Sequence, residues 1–190
     1  MEPHRYLITL KEYERMAELG LLDESTCIEL IRGEIVEMAP IGFAHEMCVA
    51  RLTTILSKLA GDAALVWPQN NSIRLAGNSR PQPDLTLLKW RDDYSANRPP
   101  SAEDVLLVVE VSETFLKYDK GIKGPLYAEA GIRDYWIINL REEIIEVHVD
   151  PLAGAYRGTR IVRRGEALAL PGELGASIKV NDVLVGDTRS

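Results

Sequence analysis

Cysteine is scarce in this chain of 190 residues: Cys27 and Cys48 are its only thiols. Two cysteines in no C-x-x-C spacing exclude a disulfide framework and a zinc knuckle, and they fit a reducing, cytoplasmic setting. The three histidines, His4, His45 and His148, are far apart and form no H-E-x-x-H pattern, so no zinc centre is expected. No run approaches about 18 apolar residues, and the opening "MEPHRYLITLKEYERM" lacks the apolar centre of a signal peptide. Neither membrane insertion nor export is therefore expected. Basic charge is also in deficit, with 22 Lys and Arg against 29 Asp and Glu and a formal charge of -7. That balance argues against a broad electrostatic grip on nucleic acid and leaves only local basic patches as phosphate contacts. A G-x-S-x-G elbow, a P-loop, a G-x-G-x-x-G fingerprint, internal repeats and low-complexity tracts are all absent.

What is present is enough apolar material, 46% of the residues, for one globular domain spanning residues 1–190. Thr9 followed by Glu12 reads as a capping box, and Leu10, Tyr13, Met16 and Leu19 recur at helical spacing before Gly20. "CIELIRGEIVEM" reads as a hairpin turning at Arg32 and Gly33, with Glu29 alternating against Ile28 and Leu30. Ala44 to Leu59 reads as a second amphipathic helix stopped by Gly61, with His45 and Glu46 in its first turn. "ALVWPQ", "NSIRLA", "DLTLLK" and "DVLLVVEV" have the branched residues and punctuation of strands. The polar loop "WRDDYSANRPPSAED" reads as exposed. A short helix to Ala130 with a stop at Gly131, and a hairpin of "DYWIIN" and "EIIEVHV", follow. The last forty residues read as short strands and turns.

"DVLLVVEV" is apolar at nearly every position, the pattern of a strand covered on both faces, so Glu110 lies near the core. A buried carboxylate needs protonation, hydrogen bonds or a cation. Asp84 opens "DLTLLK" directly after Pro83, and on neighbouring strands the two carboxylates could converge. Their repulsion would be relieved by a divalent cation, and hard oxygen donors of this kind suit magnesium or manganese. Taken singly, Asp84 can be a turn residue and Glu110 one half of an ion pair. It is their order along the chain, with lysines following, that favours a site.

The motifs "IELIRGEIVEM", "AHEMCVARL", "PDLTLL", "LLVVEVSE", "YDKGIK" and "YAEAGIRDYWII" occur in an order that resembles the Uma family of restriction-endonuclease-like proteins. The likeness spans most of the chain and is similar in kind to the PD-(D/E)XK nuclease superfamily. It implies a mixed central sheet flanked by helices, with peripheral hairpins, and a magnesium- or manganese-dependent endonuclease acting on DNA. It also implies Asp84 and Glu110 as metal ligands, with the Val111 carbonyl as a third. Ser112 shares the face of Glu110 and stands where the superfamily pattern has lysine. The family's lysine matches Lys123, which would orient and help deprotonate the attacking water and stabilise charge on the phosphate.

Gly121, Gly124 and Pro125 interrupt the helix expected around Lys123. Gly124 as cap and Pro125 as first helical residue would leave Lys123 in a loop, with Lys117 and Lys120 as substitutes. Glu46 or His45 could add an acid or base, although a helix-end acid and a surface or capping histidine are the simpler readings. Glu34 and Glu37 read as a solvated hairpin face. Arg157, Arg160, Arg163 and Arg164 could contact phosphates, but a charged outer sheet face is the simpler account. Trp67 and Trp90 could stack on bases, whereas Trp136 reads as core. A homodimer would suit cutting both strands of a duplex. The competing reading is a catalytically inactive nuclease fold that serves as a binding or interaction module, which the acidic balance favours.

Overall fold

The computed structural model describes residues 4–23, 26–69, 71–94, 98–172 and 174–184. Helix α1 (Leu10–Glu18) starts at the expected capping box: the Glu12 N–H donates to the Thr9 hydroxyl and the Thr9 N–H donates to the Glu12 carboxylate. Strands β1 (Cys27–Ile31) and β2 (Glu34–Met38) form the expected hairpin. Arg32 and Gly33 turn with φ of 51° and 82°, the left-handed pair that matches strand twist. A side chain at Gly33 would also meet Leu7 Cβ at 2.8 Å. Helix α2 (Phe43–Ala60) ends at Gly61 and buries Cys48, Leu52, Leu56 and Ala60, four residues apart on one face.

The main sheet runs β3 (Ala64–Pro68), β4 (Leu85–Lys89), β5 (Val105–Ser112), β6 (Asp134–Asn139), β7 (Ile144–Leu152) and β8 (Ala155–Arg163), neighbours in that order. Within it β5 and β6 are parallel and every other pair is antiparallel. Parallel neighbours need a crossover, supplied by α3 (Leu116–Tyr118), a π-turn over Asp119–Lys123 and α4 (Gly124–Glu129). A small pair, β9 (Ala167–Ala169) with β10 (Ser177–Lys179), and helix α5 (Val180–Val183) follow.

One face of the sheet packs against α2, β9, β10 and α5 through Leu52, Leu85, Val109, Val111, Trp136 and Val180. The other packs against α4 and the first hairpin through Ile31, Ile73, Val108, Leu126, Tyr127 and Tyr135. By strand alternation Glu110 and Ser112 lie on this second face, under the crossover.

Several expectations change. "NSIRLA" is no strand: it makes single bridges, Arg74 with Ser101 and Leu75 with Ser79, because Gly77 and Asn78 (φ 71° and 52°) turn it back on itself. The long loop is exposed at Trp90 but anchored at its end, where Arg91 bonds buried Asp104 at 2.6 Å; residues 95–97 lie outside the described part. The last forty residues include a nine-residue strand, β8, at the sheet edge. No helix among the described residues is long and apolar enough to cross a membrane.

Candidate active site

Antiparallel pairing of β4 and β5 sets Leu85 opposite Val109, so the next rung brings Asp84 to Glu110. The Val111 N–H donates to Asp84 Oδ2 at 2.7 Å, tying the start of one strand to the end of the other. On the second oxygen Asp84 accepts His45 Nε2–H at 2.8 Å and Gln69 Nε2–H at 3.2 Å. His45 is thus neither a surface nor a capping residue: it is 7% exposed and directed at Asp84 by the first turn of α2. Glu46, one residue on, is exposed at the cleft wall.

Lys123 reaches the site. The helix continues through Gly124 and Pro125 with no loop before it, since the π-turn carries the Gly124 N–H to the Asp119 carbonyl, five residues back. Proline lacks the N–H that an ordinary turn would use, and the wider turn removes that demand. Lys123 is 3% exposed; its Nζ donates to Glu110 Oε1 at 3.0 Å and forms an ion pair with Glu29 Oε1 at 3.0 Å. Of the two substitutes, Lys120 pairs with Glu146 and Lys117 is exposed. Glu110 Oε1 also accepts the Tyr127 hydroxyl at 2.7 Å.

Burial pushes the Glu110 carboxyl well above its ordinary range, with Asp84, Asp119 and Glu29 adding to the effect against Lys123. The same acids raise the Lys123 ammonium well above its ordinary value against the cost of burial, so it stays charged. Burial raises Asp119 to about 6, with Lys123 and the neighbouring Ser112 hydroxyl opposing the rise.

These groups line an open cleft of about 1050 Å³. Asp84, Glu110, Val111, His45, Glu46 and Lys123 all border it, as do the unanticipated Glu29, Gln69 and Asp119. Alternation in "CIELI" assigns Glu29 to a polar face, yet it is 0% exposed. The reason is tertiary: β1 lies between β2 and the segment at Arg80 to Gln82, where Leu30 bridges Arg80 and the Gln82 N–H donates to Glu29 at 2.7 Å. The one available signal was a glutamate inside an apolar run, the same signal that marked Glu110.

The other candidates stand apart. Arg157 and Arg164 pair with Asp150 and Glu143 on the sheet edge, Trp136 is core, and Glu34 pairs with Arg5 at the surface. Among the described residues no three His, Cys, Asp or Glu side chains form a ready metal cage.

Comparison with known proteins follows the same lines. The fold is similar to the crystal structure of "a putative nuclease belonging to DUF820" from Anabaena variabilis ATCC 29413, with a TM-score of 0.71 over 93% of this chain and 97% of that one. At 17% identity this likeness speaks for the fold. No curated protein matches the chain. A family model, Uma2, described as "Putative restriction endonuclease", matches residues 10–181, and with that extent the chain belongs to the Uma2 family.

Proposed function

We propose that this protein is a divalent-metal-dependent nuclease that hydrolyses phosphodiester bonds in DNA. The observation that carries the reading is the convergence of Asp84, Glu110 and Lys123 at adjacent strand ends in an open cleft. Membership of the family described as "Putative restriction endonuclease" supports it.

The donor set fits a hard dication. Asp84 accepts three hydrogen bonds and Glu110 two, and a carboxylate has about four acceptor sites, so both keep capacity. Four carboxylates, of Glu29, Asp84, Glu110 and Asp119, act on the single buried ammonium of Lys123. With burial, that crowding of acids holds the Glu110 and Asp119 carboxyls up, and a dication offsets it. Magnesium keeps several waters and takes one or two carboxylates, a number that Asp84 and Glu110 supply. Asp84, Glu110 and the Val111 carbonyl would hold the ion, which when bound supplies Lewis-acid polarisation of the phosphate and a more acidic water.

The chain's own groups do the rest. His45, Gln69 and the Val111 N–H fix the Asp84 carboxylate, and Tyr127 and Lys123 fix Glu110. Lys123, held beside Glu110 and Glu29, would donate to a phosphate oxygen or orient the water. The water gives a proton to the solvent of the open cleft as its oxygen bonds to phosphorus, the bond to the leaving sugar oxygen breaks, and that oxygen takes a proton from solvent.

The test is cleavage of single- and double-stranded DNA and of RNA with Mg²⁺, Mn²⁺ or EDTA. Metal-dependent cleavage of DNA is expected, reduced by about 100-fold or more in Asp84→Ala and Glu110→Ala. An inactive wild type that also binds no Mn²⁺ by calorimetry sinks the proposal.

One observation favours the second reading, a binding module without catalysis. Eight acidic residues line the cleft against Arg80 and Lys123, both already paired with glutamates. Nucleic-acid binding with no cleavage under any metal selects that reading. Pairing of two copies, which would present two clefts to a duplex, belongs to the nuclease proposal and is read by sedimentation with and without DNA.

A further inference from the structure

We infer that the cleft takes an unpaired DNA strand, and that Phe115 on its rim stacks on a base next to the scissile phosphate. The inference rests on the nuclease reading for the identity of the strand. Asp84 is 8% exposed and Glu110 3%, so a phosphate reaches them only by descending into the cleft. At about 1050 Å³ the cleft has the size of a small-molecule site, room for roughly one or two nucleotides. A phosphate within a duplex brings its stacked and paired neighbours with it. Freeing a nucleotide from them has an unstacking cost that an already unpaired strand escapes. The described residues that border the cleft offer phosphates no free cation, because Arg80 is paired with Glu14 and Lys123 with Glu29 and Glu110. Apolar surface is what the rim presents instead, and the part of a polynucleotide that matches it is the face of an unpaired base.

Phe115 borders the cleft just beyond the end of β5, the strand that carries Glu110, and is 36% exposed. Its backbone is fixed. The Phe115 carbonyl accepts the Tyr118 N–H at 2.8 Å and the Asp119 N–H at 3.0 Å, so the residue stands on the turn that opens the crossover. Ile41, also exposed, borders the cleft from the segment that leads into α2. The two segments approach closely at Gly42, where a side chain would meet Glu113 Oε2 at 3.1 Å. Among the described residues neither Phe115 nor Ile41 packs into the core on either face of the sheet. A single exposed apolar residue is ordinary. Two of them on the rim of a cleft with buried carboxylates and no free cation are accounted for by a base. Stacking on a ring is indifferent to base identity, so the preference is for an unpaired strand and not for a sequence.

The experiment compares kcat/KM with Mg²⁺ on one DNA strand, on the same strand annealed to its complement, and on a duplex with a single-stranded overhang. Wild type, Phe115→Ala, Phe115→Leu and Phe115→Trp are measured side by side. In parallel, fluorescence anisotropy in Ca²⁺ reads the affinity for the labelled strand and for its duplex. Expected is cleavage of the single strand and of the overhang, with the paired strand slower by about tenfold or more. Phe115→Ala and Phe115→Leu should lower kcat/KM and affinity for the single strand by about tenfold, the order of one lost base stack. Phe115→Trp, which keeps an aromatic face, should restore both to within about threefold of wild type. Equal cleavage of strand and duplex overturns the inference and leaves the nuclease reading standing, as does Phe115→Ala or Phe115→Leu behaving like wild type. If the wild type cleaves nothing yet binds the single strand more tightly than the duplex, and Phe115→Ala loses that margin, the stacking site stands and the nuclease reading falls. A wild type that neither cleaves nor binds the single strand overturns both.

Discussion

Tyr127 shows how much of this site is held by groups that carry no charge. Its hydroxyl is fully buried and donates to Glu110 at 2.7 Å, while its ring meets Tyr135 edge-on at 5.1 Å. Tyr127→Phe keeps the ring and removes one of the two donors to a buried carboxylate. It should cost about 1–3 kcal/mol in urea denaturation, the range for leaving a buried polar group short of a partner. Asp119 makes a prediction of opposite sign. Burial raises its carboxyl from 3.8 to about 6, so the folded state binds that proton more tightly than the unfolded one. Its contribution to stability is then greatest below pH 3.8 and is lost as the pH rises through 6. Asp119→Asn should therefore stabilise the protein at pH 7 by about 1–3 kcal/mol, and the gain should vanish near pH 3.5, as read from denaturation curves across that interval.

At the scale of elements, the hairpin and the crossover bring Glu29 and Lys123 onto one face from distant parts of the chain. The hairpin depends on its turn. Gly33 sits at φ 82°, where a side chain is strained and would also meet Leu7 Cβ at 2.8 Å and the Ile8 carbonyl at 3.1 Å. Gly33→Ala should destabilise by about 1–3 kcal/mol in urea denaturation. The crossover depends on the π-turn. It is why Pro125 coexists with a continuous helix, and why Lys123 points at Glu110 from within that helix.

At the scale of the whole molecule, the net charge of -7 and the acidic cleft set the terms for any polyanion. Lys and Arg that neutralise phosphates normally supply most of the affinity, and here the cleft offers Arg80 and Lys123, each already paired. On the nuclease reading, DNA binding in EDTA should be weak and should strengthen by about tenfold or more when Ca²⁺ replaces EDTA at equal ionic strength. Fluorescence anisotropy of a labelled oligonucleotide reads this without turnover. Equal affinity in both conditions would place the DNA contacts outside the cleft.

The sequence by itself determined the capping box at Thr9, the hairpin turn at Arg32 and Gly33, the helix stop at Gly61 and the buried strand that carries Glu110. Each follows from local rules of backbone freedom or side-chain period. Asp84 and Glu110 were legible because carboxylates beside apolar strands demand compensation. Tertiary structure alone decided the partners. Glu29 alternates like a solvent-facing residue and is buried because β1 is enclosed on both sides. His45 meets Asp84 because α2 packs across the sheet. Lys123 stays helical because a π-turn absorbs a proline that local rules place at a helix start. For Glu29 and His45 the deciding contact joins residues far apart in the chain; for Lys123 it spans five residues, one more than the ordinary helical turn encodes.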